Sequence, residues 1–393
     1  MAPIRLLTFT TLFPNAEQPN HGIFVENRLR HLIATGAATA TVLAPVPYFP
    51  SGAALFGAWG RYGRVPRNES RHGLTIHHPR YPAIPRVGMS LAPALLYRAS
   101  LAAIRRIGAD FDLIDAHYLY PDGVAAIRLG AALGKPVVIT ARGSDVTQLP
   151  DFPTPRRLIQ QAIRRADGLI AVSAALRDRL IALGAPPART VMLRNGVDAD
   201  VFRPVDRAAA RSALGVSGSL LVSVGGLIAR KGHDRTIAAL RQLPDCSLLI
   251  AGEGTERGRL ESLIAAHGLS GRARLLGPVP HTRLADLYCA ADAMILASSR
   301  EGWANVLLES MACGTPVVAS DIPGNRDVVR APEAGVIAEN SPDGIAAAVR
   351  LLLAAPPARA ATRAYAERFG WADTSQGQLA LFRDVLARRA CRA

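Results

Sequence analysis

The sequence predicts an α/β protein built of two Rossmann-like domains that face each other across a cleft. Short apolar runs alternate with amphipathic helical stretches along the chain, which is typical of βαβ units. The alternation starts again after a turn-rich segment at residues 195–204. In addition, the 393 residues exceed what one core supports, since cores stop growing at about 250–300 residues.

The first series of elements places an N-terminal domain at residues 1–200. Its apolar runs are continuous, which indicates parallel strands covered by helices on both faces. The predicted strands are Ile4–Thr10, Ala40–Ala44, Leu113–Ala116, Pro136–Thr140, Gly168–Val172 and Thr190–Leu193. The predicted helices are Phe24–Ala34, Val124–Leu133, Arg156–Arg165 and Ala174–Leu183.

The second series places a C-terminal domain at residues 201–371. It repeats the fold of the first series without repeating its sequence. The predicted strands are Leu220–Val224, Ser247–Ala251, Ala273–Leu276, Ala293–Leu296, Val317–Ala319 and Gly335–Ala338. The predicted helices are Asp234–Leu243, Glu256–His267, Thr282–Cys289, Val306–Ala312 and Asp343–Ala354.

The composition narrows the classes of partner. Apolar residues make up 49% and charged residues 20% of the chain, as in globular proteins. The net charge is +15, and every basic residue except Lys135 and Lys231 is arginine. We interpret the arginine excess as drift in base composition rather than selection for a polyanion. The positive charge itself favours an anionic partner, namely a nucleotide or an anionic membrane before nucleic acid. Since no recognition helix or RNA-binding motif occurs, we expect no nucleic-acid partner.

Several further classes are excluded. No apolar stretch reaches the length of about 20 residues that a spanning helix needs, and the N-terminus is typical of a strand rather than a signal peptide. The four cysteines have no C-x-x-C spacing, and the nine histidines show no metal-ligand spacing. We therefore expect free thiols, no metal site and a cytoplasmic protein.

Residues 45–93 interrupt the alternation of strands and helices. The segment is rich in proline, and arginines alternate there with aromatic residues that include Trp59 and Tyr62. Long segments of this kind are usually functional or mobile. We consider two interpretations. The segment is an insertion that faces an acceptor substrate or an anionic inner membrane, on which the chain would dock peripherally, or it is an inert insertion. Trp59 and Tyr62 are therefore candidate acceptor-side residues.

A candidate phosphate site follows the first strand of the second series. Ligands of open α/β sheets bind at the carboxyl ends of the strands. Gly225 and Gly226 stand at such an end, and Arg230 and Lys231 precede the next helix. Glycine lets a backbone approach an anion, and the two basic residues supply positive charge. A solvated basic turn is the alternative.

An acid pair follows a later strand of the same domain. Glu301 lies in the loop after the strand and Glu309 in the short helix, with Asn305 as the predicted N-cap. Glu309 would lie about 6 Å along the helix axis from Asn305. Two acids so spaced, with a helix N-terminus between them, could hold the two ends of a nucleotide sugar. The alternative is that both are surface acids placed for the helix dipole.

Three further strand ends carry candidates whose roles stay open. Gly252 and Gly254 form either a ligand contact or a plain turn. His117 directly follows a buried strand, and we consider both a packing histidine and a functional one. Arg142 and Asp145 follow the neighbouring strand and are candidate acceptor or cleft residues.

Taken together, these motifs resemble the retaining glycosyltransferases of the GT4 family, which have the GT-B fold. The resemblance covers essentially the whole chain. Glu301 and Glu309 are similar to the family's E-x7-E signature, within residues 301–316. Residues 195–204 resemble the family's linker. Residues 369–371 resemble the point where a C-terminal helix, at about 372–393, crosses back to the first domain.

The resemblance assigns roles around the donor. Glu301 would bind the hydroxyls of the donor hexose, with the backbone amides of Gly302 and Trp303 nearby. Glu309 would bind the ribose hydroxyls, and Lys231 the diphosphate.

The resemblance also assigns roles to three residues outside these motifs. Val279 would contact the base through its backbone. Gly22 would belong to a glycine loop of the first domain that faces the diphosphate. His117 would stand beside the donor sugar at the reaction centre, so that it forms the catalytic set with Glu301 and Lys231.

The activity implied is a retaining, metal-independent transfer of a hexose from a nucleotide-diphosphate sugar to a glycan or lipid-linked acceptor, in bacterial cell-surface polysaccharide synthesis. The nucleotide sugar is a substrate, so no cofactor is expected. Three places depart from the family. Gly226 stands where arginine is frequent, Arg142 stands where histidine is frequent, and residues 323–327 read PGNRD where two glycines and an acid are usual. A nucleotide-sugar epimerase or phosphorylase on the same fold, and a non-catalytic nucleotide-sugar-binding protein, are the alternatives.

Overall fold

The computed structural model describes residues 2–48, 60–83 and 88–391. The chain divides into two compact units, each with its own parallel sheet. Unit 1 comprises Met1–Arg194 together with Ala372–Ala393, and unit 2 comprises Asn195–Trp371. The C-terminal segment therefore belongs to the first unit.

Unit 1 contains an eight-stranded sheet and a separate two-stranded ribbon. The strands of unit 1 are β1 (Ile4–Phe9), β2 (Ala38–Leu43), β3 (Val46–Tyr48), β4 (Asn68–Arg71), β5 (Leu74–His77), β6 (Arg80–Pro82), β7 (Leu113–His117), β8 (Val137–Ala141), β9 (Gly168–Ala171) and β10 (Thr190–Met192). The sheet has the order β10-β9-β8-β7-β1-β2-β5-β4, and β3 pairs with β6 in the ribbon. The helices are α1 (Ile23–Ala34), α2 (Arg61–Arg64), α3 (Ala92–Ile107), α4 (Val124–Leu133), α5 (Ser144–Thr147), α6 (Pro153–Arg165) and α7 (Ala174–Ala182).

The described part of residues 45–93 contains short strands and a helical turn that the sequence pattern did not predict. β5 extends the sheet in parallel with β2, and β4 pairs with β5 in antiparallel fashion at the edge. These strands have three or four residues, and β3 and β6 each include a proline. Such short or polar edge strands give no continuous apolar run, which is why the sequence pattern did not predict them.

The core of unit 1 includes the C-terminal helix. The aliphatic strand residues of β1, β2 and β7 pack with one face of α1 and with Phe382 and Val385. Phe382 is fully buried. The last helix of the chain, Trp371–Ala390, is therefore held by hydrophobic burial and not only by its intrinsic helix propensity.

Unit 2 contains a six-stranded, entirely parallel sheet. Its strands are β11 (Ser219–Val224), β12 (Cys246–Ala251), β13 (Ala273–Gly277), β14 (Ala293–Leu296), β15 (Val317–Ser320) and β16 (Gly335–Ala338), in the order β13-β12-β11-β14-β15-β16. The helices of the unit are α8 (Arg207–Leu214), α9 (His233–Leu240), α10 (Arg257–Ala266), α11 (Leu284–Ala290), α12 (Asn305–Ala312), α13 (Pro323–Arg326), α14 (Pro342–Ala354) and α15 (Arg359–Glu367); α16 (Trp371–Ala390) follows.

Local capping sets two of the helix starts in unit 2. Asp206 accepts hydrogen bonds from the N–H groups of Ala208 and Ala209 at 2.9 and 3.1 Å, and α8 starts there. Ser341 accepts from the N–H of Gly344 at 3.0 Å at the start of α14. Each side chain satisfies N–H groups that the first helical turn leaves without a partner.

None of the described helices is by itself long and apolar enough to cross a membrane. One bent pair of segments, Pro342–Ala354 and Arg359–Ala390, meets the test jointly on length and composition.

Candidate active site

Two neighbouring strands of unit 2 bring predicted donor residues together. β11 and β14 lie side by side where the chain order of the sheet reverses. Open α/β sheets bind ligands at the carboxyl ends of strands at such a switch point. Lys231 follows β11 and Glu301 follows β14, and Nζ of Lys231 lies 2.6 Å from Oε1 of Glu301.

Glu301 is the centre of a partly buried ionic cluster. Its Oε1 also accepts a hydrogen bond from Oγ of Ser298 at 2.7 Å and lies 3.3 Å from Nη1 of Arg230. Burial pushes the pKa of Glu301 upward, but the charges of Lys231 and Arg230 and the two hydrogen bonds outweigh burial. The pKa of Glu301 therefore lies below its usual value, and the carboxylate is ionised at neutral pH.

The glycines after β11 and β12 pack against each other. The N–H of Gly225 donates to the carbonyl of Ala251 at 3.0 Å. A Cβ on Gly252 would lie 1.9 Å from the carbonyl oxygen of Gly225, and Gly252 has a φ of 151°. Glycine is therefore needed at 252 for packing beneath the Gly225-Gly226 turn. Gly254 lies against the backbone of Leu227 in the same way.

His233 supports this turn and was not predicted from the sequence. Its Nδ1 lies 3.1 Å from Oγ of Ser223, and its Nε2 lies 3.3 Å from the carbonyl oxygen of Gly226. Burial lowers the pKa of His233 to about 4, so the ring is neutral. One nitrogen then donates to Gly226 while the other accepts from Ser223. Its position directly after Lys231-Gly232, as the first residue of α9, was the available signal.

Glu309 is held by two side chains that no sequence motif indicated. Its Oε2 accepts a hydrogen bond from the hydroxyl of Tyr288 at 3.2 Å, and its Oε1 lies 3.3 Å from Nε2 of His281. Burial and the charge of Glu309 raise the pKa of Tyr288 well above its usual value, so the hydroxyl keeps its proton and donates. Glu309 is only 9% exposed, which argues against a plain surface acid.

The start of α12 differs from the prediction. The N-cap is Ala304, and Asn305 is the first helical residue, so the predicted N-cap role of Asn305 is wrong. The side chain of Asn305 accepts from Nδ2 of Asn195 at 3.3 Å instead of capping its own helix. Gly302 and Trp303 are buried immediately before this helix, and the Trp303 ring packs 6.0 Å from that of Phe369.

In unit 1, β7 and β1 form the corresponding switch point. His117 ends β7 and is 1% exposed. Arg142 donates to its Nδ1 at 2.7 Å, and its Nε2 lies 3.3 Å from Oδ2 of Asp115. Burial lowers the pKa of His117 to about 4, and the charges of Arg142 and Arg28 add to this against the opposing charge of Asp115. The imidazole is neutral, its Nδ1 accepts from Arg142, and its Nε2 makes no hydrogen bond within the described residues.

Asp145 lies in the loop that carries Arg142. It accepts hydrogen bonds from the N–H groups of Gly143, Arg142 and Leu119 at 2.7, 3.1 and 2.9 Å. Its side chain is fully buried, and burial raises its pKa even though the backbone hydrogen bonds oppose this. Asp145 therefore ties the loop after β8 to the turn after β7 and holds Arg142 in place.

Gly22 lies at the N-cap of α1, beside the loop after β1. Its φ is 69°, and a Cβ would lie 2.3 Å from the carbonyl oxygen of Leu12, so only glycine fits. Asp122 anchors the same loop by accepting from the N–H of Thr11 and, at 3.1 Å, from its hydroxyl. Burial raises the pKa of Asp122 to about 7. No sequence motif pointed to Asp122.

The remaining candidates lie apart from these contacts. Tyr62 is half-buried in α2, with the guanidinium of Arg61 at 5.9 Å from its ring centroid. Trp59 lies outside the described residues. Val279 is half-buried after β13. Within the described ranges, no group of three or more histidine, cysteine or acidic side chains is arranged to hold a metal ion.

The comparisons with known proteins decide the family. The pattern described as "Glycosyl transferases group 1" matches residues 206–369, and "Glycosyltransferase Family 4" matches residues 52–201. A D-inositol 3-phosphate glycosyltransferase of Geodermatophilus obscurus is 32% identical over 344 residues, covering 80% of this chain and 76% of that protein. The chain belongs to the GT4 family of glycosyltransferases. It is therefore an enzyme that transfers a sugar.

Solved structures agree with the GT-B fold of this GT4 enzyme. Sucrose-phosphate synthase from Thermosynechococcus elongatus has a TM-score of 0.80 at 23% identity, covering 98% of this chain and all (100%) of that one. HepE of Anabaena, solved with UDP and glucose, has a TM-score of 0.75 at 20% identity, covering 97% and 100%. The prediction of two Rossmann-like domains of GT-B type is confirmed.

Proposed function

We propose that this GT4 enzyme transfers a hexose, with retention and without a metal ion, from a nucleotide-diphosphate sugar to a glycan or lipid-linked acceptor in cell-surface polysaccharide synthesis. The observation that carries the donor assignment is the contact of Lys231 with Glu301 at the switch point of unit 2. A cation and an acid in contact match the adjacent diphosphate and hexose of such a donor.

The contacts within the ionic cluster suggest which side chain binds which part of the donor. The contacts of Lys231, Arg230 and Ser298 all involve Oε1 of Glu301, so we assign the hexose hydroxyls to Oε2. Lys231 and Arg230 then neutralise the diphosphate, and Arg230 supplies the charge that an arginine at Gly226 would bring. Glu309 binds the ribose hydroxyls, and the backbone of Val279 contacts the base.

The transfer follows a front-face substitution. The bond between the anomeric carbon and the phosphate oxygen breaks, and the bond to the acceptor oxygen forms on the same face. The acceptor proton passes to the leaving phosphate oxygen. Lys231 and Arg230 stabilise the charge that develops on the diphosphate, which is electrostatic catalysis. Positive side chains thereby fill the role that a metal ion plays in other transferases.

His117 positions the sugar and does not act as a base. Two observations support this role. Arg142 donates to Nδ1, so that nitrogen is not available to take a proton. In addition, burial holds the pKa of His117 at about 4, which makes it a weak base at neutral pH.

A surface patch of unit 1 supports docking to an anionic membrane. Leu91 and Phe152 are 53% and 45% exposed, and the turn before α3 contacts α6. Exposed arginines lie on the two helices that follow these apolar residues, α3 and α6. We define the arginine–apolar patch as Leu91, Arg98, Phe152, Arg156 and Arg157. Apolar side chains among cations are suited to the headgroup region of anionic lipids.

A phosphorylated polyol is the second candidate acceptor. The relative from Geodermatophilus obscurus is named for D-inositol 3-phosphate, and its similarity covers most of both chains. A soluble acceptor of this kind would not need the membrane, so the two candidates predict different assays.

The proposal is tested with a panel of UDP-, GDP- and ADP-sugars in thermal-shift assays, because a ligand stabilises the state that it binds. We expect one base and sugar to raise the melting temperature most, with UDP-glucose the first probe. That donor is then incubated with lipid-linked glycans and with inositol phosphate, and the anomeric configuration of the product is read by NMR. Retention supports the proposal. A product of inverted configuration, or epimerised sugar without acceptor, would overturn it.

A further inference from the structure

A continuous line of polar contacts runs through unit 1 from the C-terminal helix to His117. Nε of Arg28 donates to Oε1 of Gln378 at 2.8 Å, and Nε2 of Gln378 donates to Oδ2 of Asp115 at 3.2 Å. The same Oδ2 lies 3.3 Å from Nε2 of His117, whose Nδ1 accepts from Arg142. All five side chains lie in unit 1.

Because the side chains of this network are buried, the loss of any one of their hydrogen bonds is costly. Arg28, Asp115, His117 and Gln378 are each 1% exposed. Hydrogen bonds between buried groups are not exchanged for water, so the loss of one partner leaves the other unsatisfied. The amide of Gln378 can serve a guanidinium and a carboxylate at once, because it has both an acceptor oxygen and a donor nitrogen.

The carboxylate of Asp115 depends on Gln378 for its orientation. Among the described residues, Oδ1 of Asp115 makes no hydrogen bond. The hydrogen bond that orients the carboxylate is therefore the one that Oδ2 accepts from Gln378, while Nε2 of His117 only lies 3.3 Å from the same oxygen. Without Gln378, the carboxylate could rotate or approach the imidazole more closely.

The contacts also fix the tautomer of His117. A guanidinium has no acceptor, so Nδ1 of His117 must accept from Arg142 and cannot carry a proton. The proton of the neutral ring is therefore on Nε2, facing Asp115. The partner of one ring nitrogen sets the state of the other.

We propose that Gln378 of the C-terminal helix is a positioning residue for the transfer reaction, acting through Asp115 on the ring orientation and tautomer of His117. The inference rests on the proposed place of His117 beside the donor sugar. It gives the helix that returns to unit 1 a role in the chemistry as well as in the hydrophobic core.

The charged groups that face His117 come from three elements. Asp115 lies on β7, Arg142 follows β8, and Arg28 lies on α1. Asp115 stabilises the protonated ring, and the two guanidiniums destabilise it. Gln378 weakens the effect of Asp115, since its N–H bond draws on the same oxygen that faces the ring.

The test uses the full chain with Gln378→Glu and Gln378→Met. Glutamate keeps the acceptor for Arg28 but removes the donor to Asp115 and adds negative charge; methionine removes both bonds at similar volume. Histidine labelled with ¹⁵N, with His117 assigned from the spectrum of His117→Gln, reports the tautomer and the pKa directly. We expect the pKa of His117 to rise by about one pH unit in both variants.

Turnover of UDP-glucose, or of the nucleotide sugar that gives the largest thermal shift, supplies the second readout. We expect kcat to fall about tenfold, as for lost outer hydrogen-bond partners, with the donor KM within about twofold. The acidic limb of the pH profile should move upward with the pKa. Thr374→Val is the matched control, because it removes the bond of the same helix to the carbonyl of Arg194 at 2.7 Å without touching this network.

The outcomes separate the inference from the proposed function. Both Gln378 variants could lower the melting temperature while the tautomer and pKa of His117 and the kcat of the enzyme stay as in the wild type. In that case Gln378 is merely structural and the inference is overturned. If His117→Ala turns over at the wild-type rate, the proposed role of His117 fails. The NMR result for Gln378 would then still report whether the contact to His117 operates.

Discussion

Nζ of Lys231 and Oε1 of Glu301 are 2.6 Å apart, and their side chains are only 15% and 11% exposed. A positive and a negative group are thus in direct contact. In the proposed donor complex, the diphosphate shares the ionic interaction with Lys231, and the sugar hydroxyls donate hydrogen bonds to Glu301. Preformed pairing of this kind limits the reorganisation that the reaction requires.

Removing the charge of Lys231 should slow transfer. We expect Lys231→Ala to lower kcat by about 10²–10³, because one charge aimed at the leaving group is lost. Lys231→Arg should recover only part of this rate, since a planar guanidinium does not replace a compact ammonium in a pair of this geometry. Steady-state kinetics with saturating donor measure both variants.

Lys135 offers the matched control for this experiment. It is the other lysine of the chain and lies 5.5 Å from the ring centroid of Phe111 in unit 1. Lys135→Ala should turn over at the wild-type rate. If Lys231→Ala kept the wild-type kcat, Lys231 would have no part in catalysis.

Glu309 and Tyr288 should govern the affinity for the nucleotide. We expect Glu309→Gln to raise the donor KM more than tenfold, because a neutral amide accepts hydroxyl groups less strongly than a carboxylate does. Tyr288→Phe should raise it several-fold with kcat unchanged, since the hydroxyl only orients Oε2. Donor-saturation curves distinguish the two effects.

Tyr365→Phe serves as the control for lost buried hydroxyls. Its hydroxyl donates to the carbonyl of Val328 at 2.7 Å rather than to either acid of the pair. It should change the melting temperature and not the donor KM. An equal rise in KM for Tyr365→Phe and Tyr288→Phe would mean that the effect is one of general stability.

Buried neutral histidines should make the fold acid-sensitive. His233 has a pKa of about 4 in the folded chain, against an ordinary value of 6.5. Between these values the unfolded chain binds a proton that the folded chain does not, so stability falls as the pH falls from about 6.5 to about 4. Each such histidine contributes a slope of about 1.4 kcal/mol per pH unit.

Urea unfolding at several pH values measures this slope. His233→Asn should reduce it by the contribution of one histidine. His117 contributes in the same direction, since its pKa is also about 4. A slope that is the same in wild type and His233→Asn would mean that the ring is protonated in the folded state.

Much of this architecture could be predicted from the sequence, because buried parallel strands are continuous apolar runs. Ala293–Leu296 and Gly335–Ala338 have the predicted bounds. The position of Glu301 in the loop after β14 could also be predicted, because that strand is a short continuous apolar run. β3 and β6, by contrast, are too short and too rich in proline to give such a signal.

Contacts between distant positions could not be predicted. Arg28 and Gln378 are 350 residues apart and meet only because the last helix packs into unit 1. Tyr288 and His281 carry no local pattern that points to Glu309. Asn305 was misjudged because its side chain bonds to Asn195, 110 residues away, rather than to its own helix.

The arginine–apolar patch should bind anionic vesicles. Each arginine near an anionic surface contributes about 1 kcal/mol, so Arg156→Gln with Arg157→Gln should lower the partition coefficient about 30-fold. Flotation with phosphatidylglycerol vesicles measures this, and raised salt should weaken binding by the wild type. The exposed pair Arg241→Gln with Arg350→Gln in unit 2 is the control. Equal flotation on neutral vesicles would contradict docking by charge.

The central claim is that Glu301 holds the sugar of the donor while Lys231 holds its diphosphate. Titration calorimetry of wild type and Glu301→Ala, each with UDP and with UDP-glucose, or with the pair selected by the panel, tests it most directly. The wild type should bind the nucleotide sugar more tightly than the nucleotide diphosphate, and Glu301→Ala should bind both equally while keeping its affinity for the diphosphate. A variant that kept the full preference for the nucleotide sugar would contradict the claim.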